Sequence, residues 1–412
     1  MTYVHRDLTD RLQRLIAHFP VVVVTGARQV GKSTLLRHAL PGWDTVVLDP
    51  VVDVAGARAD PDLFLANRPP PLVVDEVQYA PELAAAIKRR VDRDRRPGTY
   101  VLTGSQQWSV LRGLAESLAG RAVFLDLEGF SLAERAGGVD GEPWLARWLA
   151  DPRDLVTHHP GRLPLGRTLY EVLWRGSLPE AWALPLDLVP DLHLAYRRTY
   201  IERDVRLLSE VSDQQAFGRF LGLAAALSAQ EVNHAHLGRE LGIARTTARS
   251  WLDLLTATFQ WHEVPAWSGN AIKRLSARPK GYFADTGLAA ASQAVPSPAA
   301  LGGHPLVGAL FETAAVGEVR RQCARMSPRP NLWHWRTHGG AEVDLVLEYA
   351  GKLFPVEVKL TTHPDRRSTS GLRAFRETYG DRVAPGLVLA PVEEARWLTE
   401  TDAVLPWDTR PT

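Results

Sequence analysis

The chain has 412 residues, 45% of them hydrophobic and 23% charged, a length and composition that fit a folded soluble protein of two or three domains. With 48 basic against 47 acidic residues the net charge of +1 announces no nucleic-acid partner, although it leaves room for a local basic face. The single cysteine, Cys323, excludes an internal disulfide or a thiolate metal cluster, and the lack of a secretion signal or a long apolar run leads to the expectation of a cytoplasmic protein with no membrane association.

Residues 21–40 read VVVVTGARQVGKSTLLRHAL: four β-branched residues, a glycine loop, then a helical pattern. This is the strand, loop and helix context of the Walker A motif. Gly26 and Gly31 allow the backbone to curl so that successive N–H groups face a phosphate at the helix N-terminus. Lys32 is expected to reach the β and γ phosphates of ATP, and Ser33, with Thr34 beside it, to present a hydroxyl to Mg²⁺. At 72–78, LVVDEVQ reads as a buried strand that delivers Asp75 and Glu76 to the edge of a parallel sheet. Asp75 is expected to hold the magnesium through its water shell and Glu76 to take a proton from the attacking water. A third strand, GTYVLTGSQ, ends at Ser105, a candidate γ-phosphate sensor; Thr103 is the weaker candidate because alternation is expected to turn it away. Arg121, with Arg112 behind it, is the candidate arginine finger for a neighbouring subunit, its alternative being a structural arginine.

These stretches, together with SLAGRAVFLDLEGFSLAE at 117–134, resemble the AAA-type domain of a large bacterial and archaeal family of two-part ATPases. The C-terminal part of that family is a domain of unknown function. The resemblance implies nucleotide hydrolysis through Lys32, Asp75, Glu76, Ser105 and Arg121, and names no substrate.

Residues 136–168 are rich in Gly, Pro, Trp and His without a period and read as a loop-rich connection. In LHLAYRRTYIERDVRLL, Arg197, Arg198, Arg203 and Arg206 recur at helical spacing with Glu202 and Asp204 among them. They read as a solvent face laced with ion pairs, or as an interface to nucleotide or a DNA backbone. Further on, NHAHLGRELGIARTTARSWLDLL reads as a helix, a turn at Gly242 and a second helix, a helix-turn-helix, with following strands as a wing. Its second helix presents Arg245, Thr246, Thr247 and Arg249 as DNA-binding candidates. Leu241, Ile243, Ala248, Trp251 and Leu255 form its packed side. The alternative is a winged helix that binds protein. The family resemblance returns at LGRELGIARTTARSWLDLL and at RPKGYFADTGLAA, residues 278–290.

The last domain opens with a helix that carries Glu312, with Leu306, Leu310, Ala314 and Val319 as buried candidates, followed by NLWHWRTH as a strand. Alternation then predicts two strands joined at Ala350-Gly351, with position 349 facing 352 and, by continuation, Asp344 facing Glu357. Opposed carboxylates need a cation between them. Mg²⁺ or Mn²⁺ is the expected one, with Lys359 on the same face to polarise water; the alternative is a self-neutralising hairpin face. The set Asp344, Glu357-Val358-Lys359 and Glu312 resembles the restriction-endonuclease-like fold, including archaeal Holliday-junction resolvases, although Ala341-Glu342-Val343 replace the usual proline-aspartate prefix.

The expected architecture is thus α/β and multidomain. It comprises a P-loop NTPase of AAA type at 1–165, a helical connector with a winged helix at 166–298, and a restriction-endonuclease-like domain at 299–412. The expected function is an ATP-hydrolysing, DNA-directed motor or remodeller, with branched DNA among its candidate tracks and a last domain that grips or cuts. It is expected to form a homo-oligomer, a hexamer by analogy with the AAA class. The competing functions are a signalling or toxin–antitoxin-like switch with a protein partner, and an ATP-dependent transcription regulator.

Overall fold

The computed structural model describes residues 3–49, 54–106, 118–138, 140–200, 213–270, 272, 274 and 277–412. Arg112, Glu202, Arg203, Asp204 and Arg206 lie outside the described residues. Two compact units form, His5–Gly129 with Asp253–Gln260, and Phe130–Leu252 with Trp261–Thr412. Residues 130–165 group in the second unit with 166–252 and 261–412, while 253–260 group with the first.

In the first unit, β1 (Val21–Thr25), β2 (Asp44–Val47), β3 (Leu72–Asp75), β4 (Tyr100–Gly104) and β5 (Ala122–Asp126) form a parallel sheet of order β2-β3-β4-β1-β5. The valine run of β1 is buried along its whole length, as strands of a parallel sheet covered on both faces require. Val21, Val23, Val74 and Leu102 meet Leu83 and Ile87 of the helix Leu83–Arg93 in one core. Because β4 is interposed between β1 and β3, the strand ending at Asp75 is not hydrogen-bonded to the strand that leads into the glycine loop.

The second unit begins with a departure from expectation. The loop-rich stretch contains the helices Trp144–Ala150 and Pro152–Thr157, with Trp144 and Trp148 fully buried. Neither is long enough to show a period; Asp151 caps the second through the amides of Arg153 and Asp154, with Pro152 at its first position. The helix Val189–Thr199 exposes Arg197 and Arg198.

Next come helix Gln214–Ala226, β6 (Gln230–Glu231), helices His234–Leu241 and Arg245–Ala257, then β7 (Trp261–Val264) and β8 (Lys280–Phe283). The three strands form an antiparallel sheet of order β6-β8-β7. Gly242, with φ 67°, ends the first helix of the expected pair. On the second helix Ala248, Leu252 and Leu255 are buried, while Leu241 and Ile243 before it are half-buried. Trp251 is also half-buried and sits edge-on to Phe217 and Phe220, each ring centroid 5.4 Å away.

The remainder runs helix Val307–Arg325, β9 (Asn331–Arg336), β10 (Glu342–Tyr349), β11 (Lys352–Val358), helix Ser370–Tyr379, β12 (Gly386–Ala390), β13 (Arg396–Trp397) and β14 (Asp402–Pro406). Leu310 and Val319 of the long helix are buried, whereas Leu306 and Ala314 are half-buried. The sheet order is β13-β14-β12-β11-β10-β9; β9 to β11 run antiparallel, and β12 pairs parallel to β11. Ala350 and Gly351 both have positive φ, 48° and 79°, which matches the strand twist of a two-residue hairpin. Tyr349 pairs with Lys352 and Leu345 with Val356, the register expected from sequence.

Helix Ser370–Tyr379 lies against this hairpin so closely that a Cβ at Gly371 would overlap the Glu342 carbonyl and the Glu357 carboxylate. Gly371→Ala is expected to lower the stability of this unit by roughly 2–4 kcal/mol in urea denaturation. Gly218→Ala, in a helix with open space at that position, is expected to be neutral or to stabilise by about 0.5–1 kcal/mol.

Candidate functional site

Gly26 follows β1 with φ 152°, and a Cβ there would strike the Leu127 carbonyl. Gly31, at φ 95°, turns the loop into the helix Lys32–Ala39. The buried Arg6 guanidinium ties the loop down, donating to Val30 O at 2.6 Å and to Glu128 O, beyond β5, at 2.8 Å. Lys32 Nζ donates to Gly26 O at 2.8 Å and Ala27 O at 2.9 Å, which holds the ammonium within the loop. Thr34 is exposed on the outer side of the helix.

Asp75 is the hub of the site. Ser33 Oγ donates to its Oδ2 at 2.7 Å, and Thr103 Oγ1 donates to Oδ1. Thr103 Oγ1 in turn accepts the Glu76 N–H at 3.1 Å. Thr103 was expected to point away; it lies two residues before Ser105, hence on the same side of the chain, and β4 sits directly beside β3. Ser105 instead accepts a bond from Gln78 Nε2 at 3.3 Å, and the same amide reaches the Glu76 carboxylate. Glu76 itself is left-handed, at φ 60° and ψ 46°, a conformation that costs about 1–2 kcal/mol outside glycine. Sequence reasoning passed over Arg6 and Gln78, which have no motif signal, and ranked Thr103 below Ser105, although parity puts the two on the same side of the strand.

Arg121 forms a paired-donor salt bridge to Asp92, with Nη2 to Oδ2 at 3.0 Å. Val21 and Ala122 pair at the start of their strands, so Arg121 lies at the opposite end of the sheet from its own glycine loop. It cannot serve the nucleotide site of its own chain.

A parallel sheet with this loop, an acidic pair one strand removed and a lysine held within the loop defines a P-loop NTPase. The N-terminal domain is an AAA-type ATPase: residues 18–136 match the family described as AAA domain. Residues 166–299 and 307–409 match two domains of unknown function, DUF8612 and DUF4143. Uncharacterized proteins of Mycobacterium tuberculosis and Mycobacterium bovis are each 29% identical over 406 residues, 98% of this chain and 83% of theirs. Among solved structures, a Walker-type ATPase of Pyrococcus abyssi is 17% identical with a TM-score of 0.41, over 71% of this chain and 96% of that one. The RuvB protein of Thermotoga maritima is 15% identical with a TM-score of 0.30, over 66% and 94%. No helix among the described residues is long and apolar enough to cross a membrane.

The residues present fit a magnesium nucleotide. Ser33 and Asp75 place a hydroxyl and a carboxylate together beside the loop, the hard oxygen donors that Mg²⁺ takes. Bound there, Mg²⁺ would neutralise phosphate charge. Lys32 would supply a second positive charge, and Glu76, bonded to Thr103 and Gln78, is the candidate to accept the proton of the attacking water.

The second candidate site lies in the other unit, and its cation is not the expected one. The Lys280 ammonium, on β8, stands 2.6 Å from Glu312 Oε1 and 2.9 Å from Asp344 Oδ1. Asp344 Oδ2 accepts the Val358 N–H at 2.9 Å, Tyr282 Oη donates to Glu312 Oε1 at 2.8 Å, and Lys359 Nζ lies 3.1 Å from Glu357 Oε2. Asp344, Glu357 and Lys280 are buried, and Glu312 nearly so. Burial drives Glu357 well above the usual carboxylate range, and the Asp344 charge drives it further. Burial and Asp344 likewise push Glu312 up to about 7, against the pull of Lys280. For Asp344 burial is overcome by the Lys280 ammonium, so its carboxyl stays below its ordinary value.

The site does not fit a divalent metal. Among the described residues no group of three or more His, Cys, Asp or Glu is arranged to hold one; Lys280 supplies the positive charge beside Glu312 and Asp344, and Lys359 the one beside Glu357. Mg²⁺ or Mn²⁺ was expected at Glu312, Asp344 and Glu357; the structure sets the Lys280 ammonium against Glu312 and Asp344 and the Lys359 ammonium against Glu357. Lys280 lies within RPKGYFADTGLAA, but nothing in that local pattern shows a side chain reaching a carboxylate 64 positions away. Of the DNA-binding candidates, Arg245, Thr246 and Arg249 are exposed and Thr247 is half-buried.

Four outcomes follow from this geometry. Glu76→Gln is expected to reduce kcat for ATP hydrolysis at least ~100-fold, and Thr103→Ala about tenfold with KM little changed, in steady-state assays. Glu312 has a folded pKa above its ordinary value, so its contribution to stability is full below about pH 4.5 and is lost as pH rises through about 7. Glu312→Gln should therefore flatten the fall in unfolding temperature over that window. Lys280→Met should cost roughly 3–5 kcal/mol, and more at pH 8 than at pH 5, where protonated Glu312 no longer needs the ammonium.

Proposed function

We propose that this AAA-type ATPase is a nucleotide-dependent switch, in which ATP hydrolysis governs engagement of a protein partner by the DUF8612 and DUF4143 regions. The observation that carries the reading is the Lys280 ammonium between Glu312 and Asp344: where a nuclease of this constellation needs a metal, this chain has its own buried cation. The order of a helix, three antiparallel strands, a helix and a parallel strand supports a restriction-endonuclease-like fold for the last region. In this reading the fold binds and does not cut. Such a switch turns ATP over slowly until its partner is present. Homo-oligomerisation accompanies it, with Arg121 at the far end of the sheet released from Asp92 to complete the site of a neighbour.

The second reading, a DNA-directed ATPase, rests on a different observation. The three helices and the sheet β6-β8-β7 support a winged helix, and Arg245, Thr246 and Arg249 are exposed at the start of its second helix-turn-helix helix, where bases and phosphates are met.

Steady-state ATP hydrolysis, alone and with single-stranded, duplex and four-way-junction DNA, separates the two. The switch predicts turnover within about twofold of the DNA-free rate on every substrate, and no Mn²⁺-dependent cleavage. Stimulation of about tenfold or more by one DNA form, lost in Arg245→Ala/Arg249→Ala, would establish the DNA-directed ATPase instead.

A further inference from the structure

At the end of the ATPase sheet opposite the glycine loop lies a cavity of 560 Å³, lined by Asp62, Arg89, Arg90, Arg93, Asp94, Arg96, Thr99 and Tyr100 with Pro70. Its volume falls within the range of small-molecule pockets, roughly 300–1,000 Å³. Four guanidiniums face two carboxylates, and both carboxylates are engaged: Asp62 with Arg89, and Asp94 with Arg96 at 2.6 Å. That leaves the charges of Arg90 and Arg93 uncompensated by any carboxylate in the lining. Arg90 is held in place, donating to Asp62 O at 3.1 Å and bonding the hydroxyl of Tyr100, which is 1% exposed. Arg93 ends the helix Leu83–Arg93 on the exposed side. A helix C-terminus favours basic residues, which accounts for one or two arginines. It does not account for four around one concavity with a buried phenol on its wall.

We propose that this cavity is a second anion site, separate from the nucleotide loop, that takes a phosphate monoester or diphosphate group. Guanidinium forks match phosphate oxygens in paired hydrogen bonds, and two uncompensated positive charges match a phosphate dianion. The site shares β4 with the catalytic centre: Tyr100 begins that strand and Thr103, bonded to Asp75, lies three residues along it, roughly 10 Å away at strand rise. An anion bound at Tyr100 thus sits at the other end of the strand that positions Asp75 and Glu76.

The test is calorimetric titration of inorganic pyrophosphate into the full chain carrying Lys32→Ala, which disables the glycine loop. Saturable binding is expected, weakened about tenfold by Arg93→Gln and further by Arg90→Gln/Arg93→Gln. Arg93 is exposed at the end of its helix, so the single variant reports on binding even if the double variant does not fold. A parallel titration with a single-stranded oligonucleotide identifies the source of the phosphate. If it binds more tightly than pyrophosphate and competes with it, the group belongs to a nucleic-acid backbone; if it does not compete, to a small phosphorylated molecule. Either result supports the site. Absence of pyrophosphate binding in the Lys32→Ala chain, or affinity unchanged by Arg93→Gln, would overturn it.

Discussion

The second unit depends on one ammonium group. Lys280 enters from β8, Glu312 from the helix Val307–Arg325 and Asp344 from β10, and none of the three tolerates burial alone. Leaving water costs each charge several kcal/mol, and only close pairing in fixed geometry offsets that. The strand of one small sheet is thereby joined to the helix and hairpin of another, tying a residue of the DUF8612 match to two of the DUF4143 match. The same ammonium decides the chemistry. It holds the Asp344 carboxyl below its ordinary value, while burial and the Asp344 charge hold Glu357 well above the usual carboxylate range.

A second buried contact repeats the logic nearby. Asp285 Oδ2 accepts both the N–H and the hydroxyl of Ser177, at 2.6 and 2.7 Å, while Oδ1 caps the helix Thr286–Ser292 through the Leu288 N–H. The stretches LWRGSLPEAW and RPKGYFADTGLAA, more than a hundred positions apart, are brought together by a carboxylate whose two oxygens are fully used.

In the ATPase unit the constraint is topological. Placing β4 between β1 and β3 separates the lysine loop from the acidic pair by one strand width on either side. Thr103 on that strand can then touch Asp75 and Glu76 at once, and Ser33 reaches Asp75 from the other side. The left-handed Glu76 is held by these bonds and by Gln78, a strained residue kept in place by its surroundings.

What could be read directly was whatever a local pattern carries. The glycine loop, Asp75 and Glu76, the helix pair around Gly242 and the hairpin register from Ala350-Gly351 are all set by neighbours in sequence, through backbone freedom, strand alternation and turn chemistry. The helices at 144–157 escaped because seven- and six-residue elements are shorter than two turns of evidence. The identity of the cation beside Asp344 escaped for a different reason. Sequence alternation showed that two carboxylates would face one another and that a positive charge must lie there; electrostatics alone required that much. Which charge it would be was a matter of which distant strand arrives at the site, and only the tertiary fold brings Lys280 to within 3 Å of Asp344.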